Sequence, residues 1–596
     1  MTSRADGMPE ATPSTSTQAA PLHSGSPATD FSVALLAEFV RLGVLDLVLS
    51  PGSRSQALAL AAAEFERIGL LRLHVRIDER GAGFLALGLA VETGRPALVV
   101  CTSGTAVANL HPAVLEAHHS SVPMILLTAD RPAEMRGIRS NQTTVQPGLF
   151  AGAVRLCDDV AAPAGADHEP DTAVTVARRA FAAATGVDTL TPGPAQLNLA
   201  FREPLSAAVE LSAAAVASDA ASGSTVDAGG ATEIADPPVV LDDGPRTIVV
   251  AGAGAGPEAE QLARTAGWPL IAEVSSGSRF GPNLVVAYRE LLRDPDFGGA
   301  VQRVIVFGHP TLSREVPALV QQPDVTTVVV APVGAEWYNP GHRVSTFARS
   351  VRASDAVLAA ANSREARAWT GSWVMTSRGI LGADTELDAP PVGANGMTKA
   401  EFAALKAPVT RAILADAVWR ASWPHDRLVL GASRLIRELD TRVTGKKIRV
   451  HANRGLAGID GTIATALGIA LASQAGPLPL STGTTRLLVG DVTLLHDIGS
   501  LLIAPGEVRP RLQLIVGNDG GGTIFDGLEV AGTASPDAVD RVLFTPHGVN
   551  LQSLAAAYGW SYTLAGTRSD LEAALTSPPA GPALVEVPLE RATDVR

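Results

Sequence analysis

Leu487-Leu488-Val489-Gly490-Asp491 and Leu514-Ile515-Val516-Gly517-Asn518-Asp519-Gly520-Gly521-Gly522 are two apolar runs, each ending in glycine and hard oxygen donors. Short apolar runs bounded by glycine read as buried strands. The interval between Asp491 and Asp519 has room for a helix and a returning strand, the repeating unit of a parallel α/β sheet. Ligands of such sheets sit outside the carboxyl ends of the strands. The two ends together offer the oxygen donors that a divalent cation such as Mg²⁺ prefers, and the glycines let backbone approach a phosphate closely. Taken singly, Gly-Asp and Asn-Asp-Gly are ordinary turns after strands.

The same punctuation runs outward from there. Asp30 reads as a helix N-cap before the apolar stripe Val33, Leu36 and Val40, with a stop at Gly43. Strands are expected at Asp46–Leu49, Leu71–Ile77, Ala97–Cys101 and Met124–Ala129, with helical segments such as Gly81–Val91 and Ala106–Ala117 between them. Further strands are expected at Thr247–Ala251, Arg303–Phe307 and Val325–Val330, then at Leu428–Gly431, Ile448–His451, Arg486–Val489 and Leu512–Val516. The fold class is therefore α/β, with three doubly wound parallel-sheet domains. Residues 1–28 read as a disordered tail, 29–211 as the first domain, 212–243 as a linker, 244–380 as a Rossmann-like central domain, 381–400 as a second linker and 401–596 as the last domain. Gly252-Ala253-Gly254-Ala255-Gly256-Pro257 misses the GxGxxG spacing, and no acidic residue at the next strand end decides for a dinucleotide.

Composition narrows the partners. In 596 residues, 46% are hydrophobic, and the net charge of −13 leaves no broad basic face for nucleic acid. Mean hydropathy is +0.20, yet apolar runs such as 84–91 fall far short of the ~20 residues of a membrane span. The first residues lack the apolar core of a secretory signal, so a cytoplasmic protein is expected. Cys101 and Cys157 have no CxxC spacing and read as reduced structural thiols.

Asp491 and the Asn518-Asp519 pair resemble the GDG(x)NN signature of thiamin-diphosphate enzymes. The resemblance implies thiamin diphosphate with Mg²⁺ (or Mn²⁺) held by Asp491, Asp519 and the Gly521 carbonyl. Gly490, Val492, Thr493, Asn518, Ile524 and Phe525 would surround the cofactor. Val492 replaces the third glycine of the signature, and Asp519 replaces its second asparagine, which leaves Asn518 with Gly520 as an alternative ligand pair.

In the first domain, Glu79 follows an expected strand within Asp78-Glu79-Arg80-Gly81. A carboxylic acid hydrogen-bonded to the aminopyrimidine of thiamin favours the tautomer that takes the C2 proton. Alone, Glu79 would equally be a solvated acid at a helix start. Around it stand SPGSRS (50–55), TSGTA (102–106), TADRP (128–132) and Asn141-Gln142, and later Asn453-Arg454-Gly455-Leu456-Ala457-Gly458-Ile459-Asp460-Gly461. In this order they resemble the MenD family, the 2-succinyl-5-enolpyruvyl-6-hydroxy-3-cyclohexene-1-carboxylate synthases, from about Asp30 to the C-terminus.

That resemblance implies decarboxylation of 2-oxoglutarate and 1,4-addition of the succinyl unit to isochorismate, in menaquinone biosynthesis. Both substrates are dianions, and planar guanidinium forks suit their carboxylates. The matching positions are Ser53, Arg54, Arg131, Asn141, Gln142, Arg314, Ser433, Arg437 and Arg454, with Glu79, Gln142, Arg437 and Arg454 at the chemistry. Gly458 and Ile459 would meet the cofactor, Ile459 as the wedge that bends it. The family also implies a homodimer or homotetramer with sites between subunits. Another 2-oxoacid enzyme on the same fold is the competing reading, and an arginine-lined crevice argues against it.

Overall fold

The computed structural model describes residues 24–213, 237–384, 399–477, 481–577 and 579–591. β1 (Asp46–Leu49), β2 (Arg72–Val75), β3 (Ala97–Cys101), β4 (Met124–Asp130), β5 (Leu156–Val160) and β6 (Pro194–Ala200) form one sheet, ordered β2-β1-β3-β4-β6-β5. The central sheet is ordered β12-β11-β10-β8-β9, from β8 (Thr247–Ala251), β9 (Leu270–Ala272), β10 (Arg303–Phe307), β11 (Thr326–Val330) and β12 (Thr346–Ala348). Beside it β7 (Val239–Leu241) pairs with β13 (Val351–Ala353). The last sheet, ordered β15-β14-β16-β17-β19-β18, contains β14 (Arg427–Leu430), β15 (Arg449–His451), β16 (Thr485–Gly490), β17 (Leu512–Asn518), β18 (Ser561–Leu564) and β19 (Ala583–Pro588).

Strand for strand, the last sheet repeats the order of the first. In each, the order reverses beside the first strand, so topological switch points lie between β1 and β3 and between β14 and β16. Ligand crevices open at such points. Ser53 and Arg54 follow β1, Ser103 follows β3, Ser433 and Arg437 follow β14, and Asp491 follows β16.

Parallel strands covered on both faces need continuous apolar sequence, and β1, β3, β8, β10 and β14 are buried at every position. The first and last domains share one core, in which Val99 and Leu126 belong with Leu487 and Leu514. Its centre is a pair of helices, Glu79–Thr93 and Thr462–Gln474, whose sequences lack a polar face and are correspondingly buried. They cross so closely that a Cβ on Gly88 would lie 2.1 Å from the Thr465 carbonyl oxygen, and one on Gly468 2.2 Å from that of Leu85.

Several boundaries differ from the sequence expectation. The first helix spans Pro27–Arg41, and its N-cap is Ser26, whose hydroxyl accepts from Thr29 N; Asp30 instead lies in the first turn. The first domain therefore starts before residue 29, and residues 1–23 of the expected tail lie outside the described residues. Pairing of β7 with β13 moves the start of the central domain ahead of 244. The Arg364–Asp384 helix carries that domain past 380; of the two expected linkers, 214–236 and 385–398 lie outside the described residues. Ala106–Ala117 is two helices, Thr105–Asn109 and His111–His119, because Pro112 starts a new first turn and cannot donate backward. Cys101 is buried, Cys157 is exposed on an edge strand, and both are free thiols. An acidic residue does end the strand after the glycine loop: Glu273 directly follows β9, turned inward rather than toward a nucleotide. Among the described residues no helix is long and apolar enough to cross a membrane.

Candidate active site

At the rim of the first sheet, Arg131 is buried and its Nη1 donates to Ser103 Oγ at 2.8 Å and to the Gln142 carbonyl at 2.6 Å. Gln142 Nε2 donates to the Ser103 carbonyl at 3.0 Å, and these bonds hold Gln142 at φ 53°, a strained left-handed conformation. Arg54 is buried alongside, donating to the Phe201 carbonyl at 3.1 Å; burial, then the neighbouring Arg131 charge, lowers its pKa. Ser53, Asn141 and Gln142 are exposed at the rim. Glu79 is the first residue of its helix, capped by Asp78, which accepts from Arg80 N. It is half-buried near the end of β3, where its charge adds to burial in raising the Cys101 pKa. Arg80 Nη2 donates to the His496 carbonyl at 3.0 Å, so this helix start abuts the last domain.

At the end of β16, Asp491 is buried and accepts from Val492 N at 2.7 Å and from His547 at 3.1 Å. Burial, then the Asp519 charge, raises its pKa. Asp519 is less free than its place in the sequence suggests. Its Oδ2 pairs with Arg411 at 2.6 Å and accepts from Thr523 Oγ1 at 2.5 Å, which leaves Oδ1 for another ligand. Asn518 is turned away from that role, its Nδ2 donating to Glu586 at 2.7 Å and its Oδ1 accepting from Gly520 N at 3.2 Å. Gly521 must be glycine, since a Cβ would lie 2.5 Å from the Phe544 carbonyl oxygen. Val492, Ile524 and Phe525 are half-buried, and Thr493 is buried.

The third group lies where the central and last domains meet. Arg454 is 4% exposed and donates from Nε and Nη2 to Thr311 Oγ1, at 2.9 and 2.6 Å, while its Nη1 is buried without a hydrogen-bond partner. Arg437 is half-buried and donates to the Ser433 carbonyl at 2.7 Å. Burial lowers the pKa of both arginines, though a guanidinium stays charged. Arg314 stands apart from this group, in an exposed pair with Glu529 at 2.8 Å. Gly458 lines a cavity of about 280 Å³ with Phe84 and His111, and the Ile459 carbonyl accepts from Thr462.

Arg314 and the Gly458–Ile459 stretch aside, the predicted residues thus fall into three clusters at strand ends. Sequence reasoning missed Arg411, His547, Glu273, Asp440 and Arg289. Glu273 carried a legible signal, its position after a strand. His547 and Arg411 carried none, because long-range folding alone brings them to Asp491 and Asp519.

Residues 30–152 match the family described as thiamine pyrophosphate enzyme, N-terminal TPP binding domain. A 2-succinyl-5-enolpyruvyl-6-hydroxy-3-cyclohexene-1-carboxylate synthase of Leifsonia xyli subsp. xyli is 58% identical over 587 residues, covering 95% of this chain and 97% of that protein. The chain belongs to this synthase family. The synthase of Clavibacter michiganensis subsp. michiganensis is also 58% identical, over 95% of this chain and 97% of its own, and that of Mycobacterium avium 38%, over 95% and 98%. Among solved structures, benzoylformate decarboxylase from Polynucleobacter necessarius superposes with a TM-score of 0.61, covering 96% of this chain and 99% of its own, at 14% identity. That likeness is one of fold, and the synthase relationship rests on the sequence relatives.

Proposed function

We propose that the chain decarboxylates 2-oxoglutarate and adds the resulting four-carbon unit to isochorismate, the synthase reaction of menaquinone biosynthesis, as a cytoplasmic enzyme. The observation that carries this reading is the pair of neighbouring guanidiniums, Arg454 and Arg437, where the central and last domains meet, with Arg454 Nη1 buried and without a partner. A buried donor left unpaired costs about 1–3 kcal/mol, and an entering carboxylate offsets that cost. Arg54 and Arg131 add two buried guanidiniums at the first-domain rim, with Ser53, Asn141 and Gln142 exposed beside them. Two such sites suit two dianions and would be wasted on a monoanion.

The residues present fit the cofactor. Two close carboxylates, one raised in pKa by burial and by the other, form a donor set for a hard divalent cation. Beside them a Cβ at Gly490 would meet only the Gly517 oxygen, at 4.0 Å, and one at Gly520 nothing within 4 Å, so space remains for a diphosphate. Asp491, Asp519 and the Gly521 carbonyl would hold Mg²⁺ or Mn²⁺, with Gly490, Val492, Thr493, Asn518, Ile524 and Phe525 around the diphosphate. Glu79 would hold the proton at the aminopyrimidine, Ile459 and Gly458 would set the cofactor's bend, and Ser433 would lie over it. Thiamin diphosphate, when bound, supplies the electron sink for loss of CO₂ and transfer of the acyl unit. Arg437, Arg454 and Gln142 orient the substrates.

The exposed first-domain rim also supports a homodimer or homotetramer, with the Arg54 and Arg131 rim of one subunit facing the last domain of another. Incubation with thiamin diphosphate, Mg²⁺, 2-oxoglutarate and isochorismate tests the reading: an adduct with the mass of both substrates less CO₂ should appear by mass spectrometry, and its absence with active cofactor contradicts it. Sedimentation tests the assembly, which a monomer at assay concentration would exclude.

A further inference from the structure

Glu273 directly follows β9 and is fully buried, at 0% exposure. Its Oε1 accepts from Thr311 N at 2.8 Å and from Leu312 N at 2.6 Å. Thr311 is the residue that receives Arg454 through both Nε and Nη2. The Leu312 carbonyl accepts from Arg289 Nη2 at 3.1 Å, and that same nitrogen meets Asp440 Oδ2 at 2.5 Å. Asp440 lies three residues after Arg437 on the Arg434–Arg442 helix. One carboxyl group therefore holds the turn on which the supports of both arginines converge. Glu273 Oε2 and Arg454 Nη1 are both buried without hydrogen-bond partners.

We propose that Glu273 is a positioning residue, which through the Thr311–Leu312 turn sets Arg454 and the Arg437-bearing helix for the carboxylates of the substrates. This rests on the synthase reading and adds to it a residue that does not touch substrate. The protonation of Glu273 fits the role. Burial, then the Asp440 charge, pushes its carboxyl up to about 8, so it is neutral at neutral pH. The groups bearing on it are Asp440 and Arg454 from the last domain and Tyr288 and Tyr338 from the central domain, with Arg437, Arg279 and Arg289 in the same cluster. While neutral, Glu273 holds the two amides without competing for the guanidinium charge of Arg454 and Arg437. Once ionised, it draws on both arginines as a substrate carboxylate does, and substrate binding weakens. Because its pKa is raised, the favourable form is complete at low pH and is lost as pH rises through about 8.

The experiment compares wild type, Glu273→Gln and Glu273→Ala. It measures KM and kcat for 2-oxoglutarate across the range above and below neutrality, and amide hydrogen exchange of the peptide containing Thr311 and Leu312 in the substrate-free protein. Wild-type KM is expected to rise above pH 8. Glutamine keeps an acceptor for both amides and a donor at the other position, so its KM at pH 7 should stay within about twofold of wild type while the alkaline rise disappears. Alanine should raise KM about tenfold or more, change kcat less, and speed exchange at the turn. Unchanged KM and exchange in the alanine variant, or an alkaline rise surviving in the glutamine variant, would overturn the proposal. Exchange needs no turnover: an inactive wild type defeats the synthase reading, whereas unchanged exchange in Glu273→Ala defeats this one.

Discussion

Asp440, on the helix that carries Arg437, accepts hydrogen bonds from Arg289 at 2.5 Å and Tyr288 at 2.6 Å, and is completely buried between the central and last domains. Arg279, 2% exposed, stands 3.4 Å from its other oxygen, and Val274 N donates to that same atom at 2.8 Å. The carboxylate thus balances two arginines away from water and fixes the orientation of the helix that carries Arg437.

Asp440→Asn should lower the unfolding free energy by about 3–5 kcal/mol, because it strands buried guanidinium charge. Calorimetry of the variant checks this. A melting temperature within a degree or so of wild type would mean that water already reaches the pair.

Glu92 reaches from the end of the Glu79–Thr93 helix to the last domain, pairing with Arg427 at 2.6 Å, Arg449 at 3.1 Å and His451 at 3.2 Å. Burial pushes its carboxyl up, but His451 and Arg427 outweigh that and hold it at about 2. Its stabilisation is therefore complete above the unfolded value of 4.5 and is lost as pH falls through about 2. The shift corresponds to roughly 3 kcal/mol. Denaturant titrations should show that part of the acid sensitivity disappearing in Glu92→Gln.

Gly88→Ala and Gly468→Ala should each destabilise by about 1–3 kcal/mol or more, since the new methyl meets backbone and no flexible side chain can yield. Gly379, exposed in the Arg364–Asp384 helix with nothing within 4 Å of where a methyl would sit, is the control. There alanine should stabilise by about 0.5–1 kcal/mol. Equal effects at these sites would refute the close crossing.

Thiamin diphosphate with Mg²⁺ should raise the melting temperature of the wild type, and Asp491→Asn should abolish the rise. At a hundredfold excess over Kd the gain is about 2.7 kcal/mol. Arg411→Met should retain it, because Asp519 Oδ1 is not the oxygen that Arg411 holds.

The fold was legible because parallel strands buried on both faces must be continuously apolar, as Leu487–Val489 and Leu514–Val516 are. The strand-end rule then placed Asp491, Ser433 and Arg54 correctly beside the switch points. The partners of these residues were not legible. Nothing near Asp519 in sequence indicates Arg411, and nothing in Arg434–Arg442 shows that Asp440 rather than Glu438 turns inward. The Ser26 cap was hidden by a tail of similar Ser and Pro composition.

The most direct measurement follows CO₂ release and isochorismate consumption together, omitting thiamin diphosphate, Mg²⁺, 2-oxoglutarate or isochorismate in turn. Isochorismate loss should need all four and match CO₂ mole for mole. Release of CO₂ without any consumption of isochorismate would contradict the synthase reading and make the chain a 2-oxoacid decarboxylase.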